Sequence, residues 1–476
     1  MILITKEKQM DDPGIHFKTI RQVAELLRSK EISSLELTRE ILDRIDGLDG
    51  RLKSYALVMA DHAIAAAKRA DEEIASGDYR GPLHGVPIAI KDLCFTRGVA
   101  TRGGSQALAD HVPAYDATVV EKLEGAGAVL LGKLNLTEGA MGGYNPKFEV
   151  PLNPWDQGRW PGASSSGSGV ATAAGLCYGS LGSDTGGSIR FPAAACGTVG
   201  LKPTWGRVSR YGVLALAESL DHVGPLTRSS VDAAIMLQAI SGSDPRDPTT
   251  LPAPVPDFLE QMADGVKGIR VGLDERFITR DVDPEVGEGV LQVIKVLEQQ
   301  GAEIIEVRLP DLDPYVPAWG DLCSAEAVAA HSATYPSRRE DYGPWFLGWL
   351  DMGAKVTGAE YARANNSRAA CRGHLLNVLS QIDVLVSPSM ADPPHPVTSE
   401  SQYGPLGEER QPRFQRFTAP FDFSGTPTLS VPCGMNSEGL PLSVQVAGSH
   451  LSEPLLCRVG HTYEQATEWK ELHPNV

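Results

Sequence analysis

From Gly162 to Gly212 the chain carries 12 glycines and eight serines in 51 residues, against 49 glycines in all 476. A stretch of that composition is either a slack linker or a segment whose backbone must come close to something. Its apolar content decides between the two. Residues 170–177 read as a short helical run and 178–181 as a strand, and Ile189-Arg-Phe-Pro-Ala-Ala-Ala-Cys196 is too apolar for a solvated tether. Glycines set beside serines 164, 165, 166, 168, 180, 183, 188 and 209 suit a different purpose. Backbone N–H groups there can face a ligand with no side chain in the way.

The rest of the chain supplies the frame for that window. Residues 15–80 read as helical: Ser33 followed by Glu36 is a capping-box pattern, with Leu37, Ile41 and Ile45 recurring on one face behind it. An Ala-rich run over 60–76 ends at Gly77, a C-terminal stop. Beyond residue 82, short apolar runs at 86–90 and 128–131 read as buried strands around a helix over 116–125. Residues 268–272, 284–300 and 303–309 make one βαβ unit, and later strands are expected at 382–387, 429–432 and 442–447. This alternation predicts an α/β fold, a single large domain over 1–476 with a mixed, mostly parallel central sheet covered by helices. Within it, 15–80 is the helical N-terminal region, 82–212 the core with the glycine window, and 213–476 the remaining sheet, helices and pocket loops. There is no internal repeat, and the linker-like stretches 243–257 and 388–412 are too short and embedded to divide the chain.

Charge and composition remove several classes of function. With 43 Lys+Arg against 60 Asp+Glu the formal charge is −17, which argues against nucleic acid or an anionic membrane surface as partner. No run of 18 apolar residues exists for a membrane span, and the start MILITKEKQMDD breaks into charge too early for a secretory leader. Seven scattered cysteines without a C-x-x-C pair read as reduced thiols, so a cytoplasmic location is expected. Phosphate chemistry is weakly indicated: Gly127-x4-Gly132-Lys133 begins a P-loop pattern, but Leu134 stands where Ser or Thr must reach magnesium. No metal or cofactor is expected. Among nucleophile motifs there is no G-x-S-x-G, no S-x-x-K and no H-E-x-x-H, and no histidine falls in the serine window. A lysine can serve as base where burial keeps it neutral, and Lys91, ending the apolar run 85–90, is the candidate.

Lys91, then Ser164-Ser165, then Asp184-Thr-Gly-Gly-Ser-Ile-Arg-Phe-Pro192 and Gly200-Leu-Lys-Pro-Thr204, together resemble the amidase signature family of serine hydrolases. The resemblance runs from the helical N-terminal region through Gly132-Lys-Leu-Asn-Leu-Thr-Glu138 to Pro432-Cys-Gly434. It implies a Ser–cis-Ser–Lys triad with Ser188 as nucleophile, Ser164 as bridging serine and Lys91 as base. It further implies an oxyanion hole from the backbone of Thr185, Gly186, Gly187 and Ser188, with Ser165, Asp184 and Arg190 in support. Two departures stand out. Most family members have Gly-Gly-Ser-Ser-Gly-Gly where this chain has Gly162-Ala-Ser-Ser-Ser-Gly167, so Ala163 precedes the bond that should be cis, and Ser166 adds a hydroxyl of open role.

Within the family, residues 202–225 look most like the glutaminase subunit of the tRNA-dependent amidotransferase. Phe417-Thr-Ala-Pro-Phe-Asp-Phe-Ser-Gly-Thr-Pro427 looks instead like free-standing amidases. The expected function is a stand-alone hydrolase cleaving C–N bonds of apolar or aryl amides or carbamates, including urethanase activity. The alternatives are the glutaminase subunit or a non-catalytic scaffold on the same fold. Its partner would be the small-molecule substrate alone, in a monomer or homodimer. Substrate-binding candidates are Met141, Gly142, Gly143, Trp205 and Gln402, with the aromatic segment 314–350 as core or pocket wall and 388–412 as a flap.

Overall fold

Of the helices expected over 15–80, Ile20–Ser29, Ser34–Leu52 and Ala60–Ser76 form in the computed structural model, which describes residues 14–406 and 412–476. The start of the chain read above for a leader, and part of the 388–412 stretch, lie outside the described residues. Both arms of the Ser33–Glu36 capping box are made, and Gly77 ends its helix in the left-handed conformation. Between the second and third helices the chain adds a strand that helical periodicity did not predict, β1 (Tyr55–Val58).

Ten further strands follow: β2 (Pro87–Lys91), β3 (Val129–Leu134), β4 (Gly179–Asp184), β5 (Val199–Lys202), β6 (His222–Thr227), β7 (Arg270–Leu273), β8 (Glu303–Glu306), β9 (Val384–Pro388), β10 (Thr428–Met435) and β11 (Pro441–Gly448). They share one sheet in the order β1-β3-β2-β4-β6-β5-β10-β11-β9-β7-β8. The α/β class and the mixed sheet hold. Parallel pairing, however, is confined to two blocks, β3-β2-β4 and β9-β7-β8. Between them the sheet is antiparallel; of these pairs only β10 and β11 are joined by a short return, a tight loop closed by the Asn436 N–H on the Leu440 carbonyl. Among the described residues no helix is long and apolar enough to cross a membrane.

What matters for the site is the first parallel block. The run Pro87-Ile-Ala-Ile-Lys91 is buried along its whole length, as expected of a strand covered on both faces. Each buried Ile contributes roughly 1.5–3 kcal/mol, which is enough to carry a lysine inward at the strand's end. Because β2 and β4 run side by side in the same direction (Ala89 opposite Ser180, Ile90 opposite Leu181), they end at the same sheet edge. Lys91, Ser183 and Asp184 therefore meet there. The helix Ser166–Ala173 packs on β4 and starts at the same edge, bringing Ser164 and Ser165 in from above. The second lysine noted at the P-loop-like pattern, Lys133, is buried too. Its Nζ donates to the Cys94 carbonyl and, at 2.8 Å, to Thr101 Oγ1, and lies 3.7 Å from Asp92, so it braces the turn that follows Lys91.

Candidate active site

Lys91 sits fully buried and donates to three hydroxyls: Ser164 Oγ at 2.7 Å, Ser165 Oγ at 2.8 Å and Ser183 Oγ at 2.9 Å. Among the described residues no carboxylate touches it. Burial lowers its pKa to about 7, against the pull of Cys94, Asp184 and Asp221, so the ammonium loses its proton near neutrality. The peptide bond between Ala163 and Ser164 is cis. Ser165 stands at the N-cap of its helix, yet its hydroxyl makes no cap. It bonds Lys91 and the backbone of Ser183 instead, at 3.2 Å to both the carbonyl and the N–H. Ser166 accepts from the buried Tyr144 hydroxyl at 2.9 Å, which gives the added hydroxyl a structural partner. Ser188 is half-buried, and among the described residues no hydrogen bond joins its Oγ to Ser164.

The segment 184–190 wraps around the Asp184 carboxylate. Asp184 accepts from the N–H of Gly187 (2.6 Å) and Ile189 (2.9 Å) and from the Arg190 guanidinium at 3.0 and 2.9 Å. Burial opposes its charge, but Arg190 holds the carboxyl well below the usual range. This corrects one expectation: the Gly187 N–H is captured by Asp184 and is not a free oxyanion donor. The N–H groups of Thr185, Gly186 and Ser188 have no acceptor among the described residues. Both glycines are sterically required. A Cβ on Gly186 would lie 2.3 Å from Trp319, and one on Gly187, at φ +131°, would lie 2.4 Å from Phe191.

Arg190 extends the brace across the molecule. It donates to the Thr418 carbonyl and Gln445 Oε1, each at 3.0 Å, and to Asp422 Oδ2 at 2.6 Å. Thr418 in turn donates to the Gly186 carbonyl at 2.7 Å. Arg190→Met is expected to lower unfolding free energy by about 3–5 kcal/mol, since two buried carboxylates lose their shared cation. Urea denaturation measures it; a loss below about 1 kcal/mol would show the brace to be dispensable.

Ser188 opens on a cavity of about 290 Å³. Met141, Gly142, Gly143 and Gln402 line it, together with Trp319 and Trp345 of the aromatic segment. Tyr335, Tyr342, Phe346 and Trp349 of that segment are core. Trp205 is not in the wall: the Arg210 guanidinium lies over its ring at 5.2 Å and its backbone N–H bonds the Gly425 carbonyl, placing it on the loop after β5. Trp160, Phe191, Phe414 and His395 form the far wall, with Trp160 stacked on His395 at 5.1 Å between ring centres. The wall holds no Asp, Glu, Lys or Arg among the described residues. Its one histidine, His395, is pushed by burial to lower pKa. Gln402 belongs to the 388–412 stretch, and its carbonyl accepts from the Tyr144 N–H at 2.8 Å.

Sequence reading missed Ser183 as a partner of Lys91, although it counts among the window's serines. It also missed Thr418, Asp422 and Gln445, which reach the site from more than 200 residues away. The Phe417-Thr-Ala-Pro-Phe-Asp motif carried that signal unread.

The family profile described as Amidase matches residues 36–457. A Mycobacterium tuberculosis protein named "Putative amidase AmiD" is 46% identical over 472 residues, covering 98% of each chain. A glutamyl-tRNA(Gln) amidotransferase subunit of Desulfatibacillum aliphaticivorans is 40% identical, covering 97% of this chain and 100% of that one. A crystal structure of a bacterial aryl acylamidase superposes with a TM-score of 0.86 at 26% identity, covering 96% of this chain and 98% of that one.

Proposed function

Because the chain belongs to the amidase family and is an amide-hydrolysing enzyme, we propose that it cleaves neutral, largely apolar amides, aryl amides foremost, through an acyl-enzyme on Ser188. Aryl carbamates fit the same cavity and chemistry. In this reading neutral Lys91 takes a proton from Ser164, and Ser164 takes one from Ser188 as its Oγ turns toward the relay. Hydrogen bonds of this kind are often unmade without substrate and close in the Michaelis complex. The attacked carbonyl becomes an oxyanion facing the N–H groups of Thr185, Gly186 and Ser188. Reversal of the relay protonates the leaving amine, and water releases the acyl group.

The observation that carries the substrate reading is a wall without Asp, Glu, Lys or Arg among the described residues. Free glutamine brings a carboxylate and an ammonium, and burying either without a partner costs several kcal/mol. A neutral ring or alkyl group instead gains about 25 cal/mol for each Å² buried against Trp160, Trp319, Trp345 and Phe191. The glutaminase reading, which the 40% identity to the amidotransferase protein supports, finds no such charge complement among the described wall residues. The test is turnover of a neutral p-nitroanilide, an aryl carbamate and glutamine by the purified chain alone. Anilide cleavage with no glutaminase activity is expected; a higher kcat/KM on glutamine would overturn the proposal.

A further inference from the structure

One buried carboxylate beside the site has no part in the proton relay. Asp221, at the start of the chain's approach to β6, accepts from Thr185 Oγ1 at 2.6 Å through Oδ1. Through Oδ2 it accepts from the Leu216 N–H at 2.9 Å, and both oxygens lie 3.1 Å from the Ala217 N–H. Leu216 lines the substrate cavity. A single side chain thus joins the oxyanion loop to the wall on which substrate rests. Thr185 is held at its other end as well, its carbonyl accepting from Trp319 Nε1 at 2.7 Å.

Behind Asp221 lies a second cavity of about 300 Å³, whose wall includes Ser183, the third hydroxyl on Lys91. Its other ionisable lining groups are Arg210, Tyr211, Glu218, His222, Arg246 and Asp247. Asp221 therefore lines the second cavity while its partners Thr185 and Leu216 line the substrate cavity, Leu216 facing both.

We infer that Asp221 is a positioning residue for acyl transfer, holding Thr185 and Leu216 in one register so that the oxyanion donors and the seat of the acyl group move as a unit. The inference rests on the acyl-enzyme reading above. The carboxylate also lies in the field of Lys91, where Asp221, Asp184 and Cys94 all favour the protonated form. Its own field includes Arg210.

Four variants test it: Thr185→Val, which keeps shape and removes the hydroxyl, Thr185→Ser, which keeps the hydroxyl, Asp221→Asn, and the Thr185→Val/Asp221→Asn double variant. Thr185→Val and Asp221→Asn are each expected to lower kcat roughly 10- to 100-fold with KM little changed, the scale of a small misplacement at a reacting centre. Thr185→Ser should restore most of the kcat that Thr185→Val loses. The double variant should be no slower than the slower single one, because both remove the same link. A carboxylate that only props the fold would not give a loss confined to kcat that Thr185→Ser restores. Wild-type kcat in Thr185→Val or multiplicative losses in the double variant would overturn the inference. If Asp221→Asn does not fold, the Thr185→Val and Thr185→Ser pair decides alone. Ser188→Ala, run in parallel, separates the readings: retained activity there sinks the nucleophile assignment, whereas a dead Ser188→Ala beside a fully active Thr185→Val sinks this inference only.

Discussion

Replacing Ser188 by alanine is expected to lower kcat by about 10⁴-fold or more, with folding and thermal stability unchanged. The kinetic loss follows from chemistry: without the Oγ there is no acyl-enzyme, and water must attack the amide directly inside an otherwise intact site. The unchanged stability follows from the structure, in which the half-buried Ser188 hydroxyl makes no hydrogen bond among the described residues. Two measurements check it together: steady-state turnover of a p-nitroanilide, and intact-mass detection of a fluorophosphonate adduct. The adduct should form on the wild-type protein and map to Ser188. Residual activity within tenfold of wild type, or a label on another serine, would assign the nucleophile elsewhere.

Lys91→Ala ranks second, with an expected fall of about 10³- to 10⁴-fold in kcat/KM, the upper range for loss of a general base. Lys91→Arg should not rescue it, because a guanidinium stays protonated and three hydroxyls cannot pair its fork. The wild-type pH profile supplies the sharper check. A base must be deprotonated to act, and Lys91 is held at about 7 by burial, so kcat/KM should fall about tenfold for each pH unit below 7. Above 7 it should level off. In Lys91→Ala the surviving activity should lose that limb. A limb that persists unchanged in the variant would mean another group governs the proton.

The site was legible where its residues lie close in sequence. Glycines and serines crowded into 162–212 announced a loop built for close approach, and Lys91 closed a run whose burial its apolar neighbours dictated. Strand and helix alternation likewise pointed to the fold class. What escaped were relations that only tertiary pairing creates. Strand β1 is four residues long with Leu57 and Val58 exposed, so neither length nor burial marks it against the helices on either side. The antiparallel centre depends on which neighbour each short strand chooses, and an apolar run does not specify that. Trp205 was a pocket candidate as an aromatic just outside the signature, but direction around a loop is not written in residue type. Arg190 had its local partner, Asp184, in plain view six residues away; its others, the Thr418 carbonyl, Asp422 and Gln445, are 228, 232 and 255 residues distant.

The three hydroxyls around Lys91 have a consequence for the speed of the chemistry. A protonated amine donates three hydrogen bonds, whereas a neutral one donates two and offers a lone pair. Serine hydroxyls rotate and serve as donor or acceptor, so Ser164, Ser165 and Ser183 can satisfy either form by turning protons about their C–O bonds. A carboxylate in any of those places would have pinned the charge. Here the lysine can pass between its two charge states within a fixed frame of heavy atoms, so the proton exchange proposed for it asks no rearrangement of Lys91, Ser164, Ser165 or Ser183.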